Sequence, residues 1–370
     1  MVNTTPIPAG QAFDVLLAGW QAQAAGQMTA SWMLHGRPGI GKTEVVQALA
    51  NRINARLFDL RLTTIEPQDL RGLPYFDHAA QKTIWYRPED LPDDPAQPTV
   101  LFLDELTAAA PSLQPTVYGL LQERRVGRHR LPDACLIVAA GNGTDDGAVA
   151  YEMGTALSDR LIHLNVTAEA GDWLARYAQP SGLHAAVLAF IRTRPDLLET
   201  SEAALRRGDV IACTPRSWAR VSQVMDCIPD RRTRDIMVAG ILGEAAAAEF
   251  LLIANDIAAT VQVDDMLAAR PADRAALYPA SMHGLTALTY ALVSRAEAAT
   301  LPAVIDIMAG LRDLGRQRGD PFSRLPLAEL TTHGFEMLLR KALETGWQEA
   351  FLTSDSYAAY AQERRAAGLE

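Results

Sequence analysis

The sequence predicts an α/β sandwich of about five parallel strands, followed by helices to the end of the chain. Two observations carry this. Short apolar runs at 32–35, 57–62, 99–104, 136–140 and 161–166 alternate with helical patterns, and several are almost continuously apolar, as parallel strands covered on both faces are. After Thr167 such runs stop, and apolar residues recur at helical spacing. In order, residues 11–27 read as a helix rich in Ala, Gln and Leu, and 32–35 as a buried strand. Residues 43–53 (TEVVQALANRI) read as the helix that leaves the turn between them. Beyond 172, breaks at Pro195, Pro215 and Pro229 divide one helical region. Pro271, Pro279, Pro302, Pro321 and Pro326 mark turns in a second.

Composition bounds the function. A chain of 370 residues has room for two or three domains and an ample core. Hydrophobic residues at 49% and charged residues at 21% describe an ordinary soluble protein. A net charge of −10 argues against a generic duplex-DNA surface. The longest apolar run, 240–254, is interrupted by Glu244 and Glu249 and reads as too short and too charged to span a bilayer. Residues 1–10 carry no basic segment before an apolar core, so no secretory signal is expected. Cys135, Cys213 and Cys227 are far apart and odd in number, which predicts reduced, buried thiols and a cytoplasmic protein. The histidines show no metal-ligand spacing.

The stretch Gly36-Arg37-Pro38-Gly39-Ile40-Gly41-Lys42-Thr43 fits G-x-x-x-x-G-K-[ST], a phosphate-binding loop. Glycines let the backbone curl so that successive N–H groups point at a polyphosphate. The residues expected at the nucleotide are Gly36, Pro38, Gly39, Ile40, Gly41, Lys42, Thr43 and Glu44, with the phosphates on the N-terminus of the following helix. Lys42 reaches the β- and γ-phosphates as a point charge, and the Thr43 hydroxyl is an expected Mg²⁺ ligand.

Val100-Leu101-Phe102-Leu103-Asp104-Glu105 is an apolar strand that ends in two carboxylates. Asp104 would emerge at the carboxyl edge of the sheet, where it can hold the Mg²⁺ shell. Glu105 can orient a water for attack on the γ-phosphate. An acidic pair, rather than a lone Asp, favours hydrolysis over simple nucleotide binding. Asn142 ends a further strand, where its amide can hold the attacking water or sense the γ-phosphate; Asn142-Gly143 is also a turn dipeptide. Arg160 precedes the last strand and Arg216 sits at a helix start behind Pro215. Either arginine can stabilise charge on a transferring phosphoryl group, or serve as a surface ion pair.

In this order the motifs resemble the AAA+ ATPases and, within them, the MoxR-like group, over roughly residues 11–250. The resemblance implies an AAA+ core with a helix-2 insertion, an all-α lid and a helical C-terminal region. The expected divisions are 1–167, 168–258 and 259–370. It makes Lys42 and Thr43 Walker A, and Asp104 and Glu105 Walker B. Asn142 matches sensor 1, Arg160 the arginine finger, and Arg216 sensor 2. Asp69-Leu70-Arg71-Gly72-Leu73-Pro74 looks like the element that opens the MoxR-like insertion. Gly143-Thr144-Asp145-Asp146 departs from the Asn-Pro that many MoxR-like proteins carry there, and the C-terminal third matches no motif.

The resemblance further implies a homo-oligomeric ring, expected as a hexamer, because a finger near the last strand must act in a neighbour. It also implies a chaperone that remodels a protein client with a von Willebrand factor A-domain partner. The rival expectation is a nucleic-acid-dependent motor of a restriction or translocase system. Acidic charge and the lack of a recognisable DNA-binding module weigh against it, and no membrane partner is expected. Residues 75–78 and 83–86 predict a hairpin with aromatic arms, suited either to gripping a protein segment or to packing on its own domain. Arg124, Arg125, Arg128, His129 and Arg130 form a basic cluster that reads as a solvated hairpin or a pore lining.

Overall fold

The computed structural model describes residues 4–143 and 158–368. Thr144, Asp145 and Asp146, which figured in the sequence reading, lie outside the described residues. The chain divides into two compact units, one of Met1–Trp173 with Leu198–Ser217 and the other of Leu174–Leu197 with Trp218–Glu370.

The first unit is built on a six-stranded sheet. Strand β1 is Pro6–Pro8 and helix α1 is Ala9–Ala24. Strand β2 (Ser31–His35) leads into α2 (Lys42–Arg52), and β3 (Arg56–Arg61) into the short α3 (Pro67–Arg71). A hairpin of β4 (Pro74–Asp77) and β5 (Lys82–Trp85) follows, then β6 (Thr99–Asp104) and α4 (Gln114–Glu123). A second hairpin, β7 (Arg125–Val126) with β8 (His129–Arg130), precedes β9 (Cys135–Gly141) and β10 (Leu161–Thr167). The order across the main sheet is β1-β10-β2-β9-β6-β3, and every pairing in it is parallel.

Five of these strands lie where the apolar runs predict them. The sixth, β1, is a correction to the five-stranded expectation. Three residues with two prolines carry no strand signal, and Pro lacks the N–H that a central strand needs. At the sheet edge, beside Asn165, Val166 and Thr167, that loss is tolerated.

The continuous apolarity of the strands has a direct cause. Met33, Leu101, Leu103, Ile137 and Ala139 pack on one face with Val117 and Leu120 of α4. Trp32, Leu34, Val100, Phe102, Leu136 and Val138 pack on the other with α1 and α2 residues such as Leu16, Val46 and Leu49. Successive side chains alternate between faces, so both registers must be apolar. The chain leaves β2, fills the sheet on one side as β3, β6 and β9, and returns as β10 on the other. That reversal opens a crevice at the carboxyl ends of the strands beside β2, where open α/β sheets bind ligands.

The described residues of the second unit form helices joined by turns, with no strand. Phe190 of helix Ala185–Thr193, Trp218 and Phe250 form an aromatic cluster with centroids 5.3–5.5 Å apart. Such edge and tilted contacts add to the area that each ring buries. Beyond the run 240–254, the longer segment Glu244–Ala268 holds an 18-residue window of mean hydropathy 1.3, long and apolar enough by length and composition alone to cross a membrane. Its apolarity comes from Ala, Leu and Ile extending past Ala254. It forms two helices, Glu244–Thr260 and Val263–Ala268, and buries Ala247, Phe250, Ala254 and Ile257 within the unit. Cys135 and Cys213 are buried as expected, but Cys227 is exposed. It ends a helix on the polar side of an amphipathic pattern, which thiol composition alone does not reveal.

Candidate functional site: a nucleotide cleft at the strand ends

Residues 36–43 curl tightly between β2 and α2. Gly36 has φ +148°, and a Cβ placed on it would lie 2.4 Å from the Val166 carbonyl oxygen of the adjacent strand. Gly39 has φ +80°, and its Cβ would press on the Thr214 side chain at 2.9 Å. Neither position accepts a larger residue without moving backbone. Ile40 buries its side chain among the α1–α2 core residues and anchors the turn.

The loop is also tied to residues 198–217. The Arg37 guanidinium pairs with Glu199 at 3.1 Å and Glu202 at 2.9 Å. The Arg216 backbone N–H donates to the Gly39 carbonyl at 3.1 Å. Thus Arg216, the second residue of helix Pro215–Cys227, is placed against the phosphate loop by the main chain itself.

An open cleft lies here. It is lined by Pro38, Gly39, Gly41, Lys42, Thr43, Arg61, Asp104, Glu105, Gly141, Asn142 and Arg216. The structure therefore brings Lys42, Thr43, Asp104, Glu105, Asn142 and Arg216 together from positions up to 174 residues apart. Gly36 meets Lys42 through its carbonyl, whereas Glu44, in the first turn of α2, is exposed and outside the lining. Arg160 is exposed just before β10 and also lies outside the lining.

The Lys42 ammonium donates to the carbonyls of Gly36 and Arg37 and to Asn142 Oδ1, the last two at 3.0 Å. A phosphate oxygen carries more negative charge than these acceptors and would compete well for the same donors. Asn142 is held in turn by Thr107. Its N–H donates to Thr107 Oγ1, and that hydroxyl donates to the Asn142 carbonyl, both at 3.1 Å.

Burial pushes the Asp104 carboxyl above the usual range; its bond from the Glu105 N–H, 2.9 Å long, works the other way. A cation beside Asp104 would restore its charged form. The Thr43 hydroxyl and Asp104 carboxylate are hard oxygen donors in one cleft, so the residues present fit Mg²⁺.

Glu105 sits in the left-handed backbone region, with φ 59° and ψ 34°. Its carboxylate accepts from the Thr63 hydroxyl and lies 3.8 Å from Arg61 Nε. Sequence reading missed Arg61 and Thr63. The available signal was positional: β3 pairs with β6 and puts Arg61 level with Asp104, but strand order is not written in the sequence.

Among known proteins, residues 31–161 match the AAA domain (dynein-related subfamily). No curated protein matches the sequence. Among solved structures, a provisionally assigned ATPase of Cytophaga hutchinsonii is similar at 14% identity, over 78% of this chain and 76% of that one, with a TM-score of 0.33. A variant of RuvB from Thermotoga maritima is similar at 14% identity over 85% and 83%, with a TM-score of 0.38. The Thermotoga maritima RuvB described as a Holliday junction branch migration motor is 15% identical over 86% and 83%, with a TM-score of 0.34. Residues 31–161 thus form an AAA domain on an AAA+ fold, and the reaction of this chain is the hydrolysis of ATP.

Proposed function

We propose that this chain is a MoxR-like AAA+ motor that works as a ring, a hexamer by the family's habit, and remodels a protein client in the cytoplasm. The observation that carries the reading is a division of labour. Lys42, Thr43, Asp104, Glu105, Asn142 and Arg216 line one cleft, while Arg160 stands exposed outside it. A cation poised at the surface beside the last strand suits a finger that completes a neighbour's site.

In this reading the loop amides and Lys42 bind the phosphates, and Asn142 and Arg216 sense the terminal one. Thr43 and Asp104 would hold Mg²⁺, which neutralises phosphate charge when bound. Glu105 orients the attacking water once its carboxylate leaves Thr63. The helices of 168–258 then act as a lid whose displacement the ring transmits, and 259–370 extends it.

The exposed aromatics of the β4–β5 hairpin favour a protein client. Phe76 is 72% exposed and Tyr86 62%, and Tyr86 stacks on Tyr75 at 4.4 Å. The basic cluster offers little to nucleic acid by comparison. Arg124 bonds the carbonyls of Pro132 and Cys135, Arg125 pairs with Glu123, and Arg130 with Asp133.

Mixing Arg160→Ala subunits with Lys42→Ala subunits tests the ring. Each variant alone is inactive, and mixed assemblies regain a substantial fraction of hydrolysis; no recovery in confirmed mixed assemblies would refute a finger in trans. A von Willebrand factor A-domain protein is expected to raise the ATPase rate. Stimulation by DNA or RNA at physiological salt, and not by such a protein, would replace the chaperone reading.

A further inference from the structure

Two histidines join the phosphate loop to the segment that carries Arg160. His35 ends β2, immediately before Gly36, and His163 lies on the neighbouring strand β10. In register His35 stands beside Asn165, so His163 is its diagonal neighbour on the same sheet face. The two rings stack with centroids 5.0 Å apart and planes at 21°. His35 Nε2 is 2.7 Å from His163 Nδ1, and His163 Nε2 is 2.8 Å from the Ser158 carbonyl oxygen.

These contacts assign the protons. A carbonyl only accepts, so His163 carries its proton on Nε2 and donates it to Ser158. His163 Nδ1 is then an acceptor, and His35 donates to it from Nε2. The chain of donors runs one way: His35 to His163 to the backbone two residues before Arg160. At its other end, the Gly36 carbonyl next to His35 accepts from Lys42. The pair is thus interposed between the group expected to meet the chain's own nucleotide and the group expected to serve a neighbour's.

We propose that His163, oriented by His35, is a positioning residue that fixes the Ser158-Asp159-Arg160 turn so that Arg160 is presented correctly to the adjacent protomer. The inference rests on the reading that Arg160 acts in trans. Its physical content is specific. Loss of the His163 donor frees one backbone carbonyl and releases the turn, while the cleft that binds ATP in the same subunit keeps all its lining groups.

His163→Leu removes both contacts, and His163→Gln keeps an amide donor for Ser158 with an oxygen to accept from His35. We expect His163→Leu to bind a non-hydrolysable ATP analogue within about twofold of the parent, yet lose roughly tenfold in kcat. His163→Gln, checked for the same melting temperature as the parent, recovers most of that loss. The decisive measurement is subunit mixing. His163→Leu subunits have an intact cleft and a misplaced finger; Lys42→Ala subunits have the reverse. Mixed assemblies of the two regain a substantial fraction of hydrolysis, from intact clefts that abut a Lys42→Ala subunit, whereas His163→Leu mixed with Arg160→Ala shows no recovery. If Lys42→Ala subunits fail to rescue His163→Leu while they do rescue Arg160→Ala, His163 serves its own cleft and the proposal is overturned. If neither rescue occurs, the trans reading itself falls. A Leu variant with unchanged kcat would also end the proposal.

Discussion

Both units of this chain bury an apolar core, yet only one announces its chemistry. In the sheet unit, parallel strands end on a common edge, and the residues just past those ends have no apolar partner to satisfy. Asp104 ends β6, Glu105 and Asn142 follow β6 and β9, and Lys42 opens the helix after the loop that leaves β2. In the helical unit, several polar groups that reach the interior are taken up by backbone carbonyls. Buried Thr289 and Thr331 donate back to the carbonyls of Leu285 and Leu327, and the Tyr278 hydroxyl donates to the Ile307 carbonyl. The contrast teaches that a site is recognised by polar groups converging on open space, not by their number.

The largest expected break in that comparison is Lys42→Ala. Removing the ammonium takes from the loop the side-chain cation available to the phosphates, since Arg37 is paired with Glu199 and Glu202. Nucleotide affinity is expected to fall beyond about a hundredfold. Equilibrium binding of a fluorescent ATP analogue measures it, and retained micromolar affinity would contradict the phosphate-loop reading. Next is Glu105→Gln, which keeps binding but slows hydrolysis by hundreds of times on the order of magnitude seen for water-directing groups. A single-turnover assay separates the two, and normal turnover would put the water-directing group elsewhere.

For the helical unit the corresponding lesion is structural. Trp218 is fully buried against Phe190 and Phe250, and its indole N–H donates to the Leu197 carbonyl at 2.8 Å. Trp218→Ala should cost about 3–5 kcal/mol of unfolding free energy in urea. Loss below 1 kcal/mol would show that the cluster is dispensable.

Acid sharpens the comparison, because each unit hides one strongly shifted histidine. Burial, with His163 and Lys42 nearby, lowers His35 to about 4. Burial, with Arg192 and Arg340 nearby, lowers His333 to about 4, and its Nε2 contacts Tyr290 and Arg192 at 3.3 and 3.2 Å. Both pKa values are depressed below the unfolded value of 6.5, so between that pH and about 4 the unfolded chain binds more protons. Stability therefore falls as the pH drops through that window, by roughly 1 kcal/mol per pH unit for each group. Urea midpoints at pH 7 and pH 5 test this, and His333→Gln should flatten the slope. The smallest expected effect is at the Glu105 tether. Thr63→Val removes the hydroxyl that holds the carboxylate and should raise basal hydrolysis by about two- to fivefold with unchanged nucleotide affinity. A reduced rate would mean that Thr63 assists catalysis.

Much of the sheet unit was legible because its constraints are local. A loop that must curl around phosphate demands glycines at fixed spacing, and a strand covered on both faces must be continuously apolar. Gly36, Gly39, Lys42, Thr43 and the Val100–Asp104 run are such cases. Strand β1 was not legible, since two prolines disguise it and only the neighbouring β10 makes it a strand. The exposure of Cys227 and the reach of the apolar segment past Ala254 were likewise matters of packing. Arg61, Thr63 and the His35–His163 pair escaped notice for one reason: each acts across a strand pairing.

By itself, the sequence determined the nucleotide chemistry and the order of the elements, because spacing within a turn and periodicity within a strand are set by bond geometry. Only the tertiary structure decided which side chains became neighbours. Pairing β3 with β6 sets Arg61 and Thr63 on Glu105, and pairing β2 with β10 sets His35 on His163. Strand order is fixed by the burial of the whole core, a sum over distant residues that no local pattern encodes.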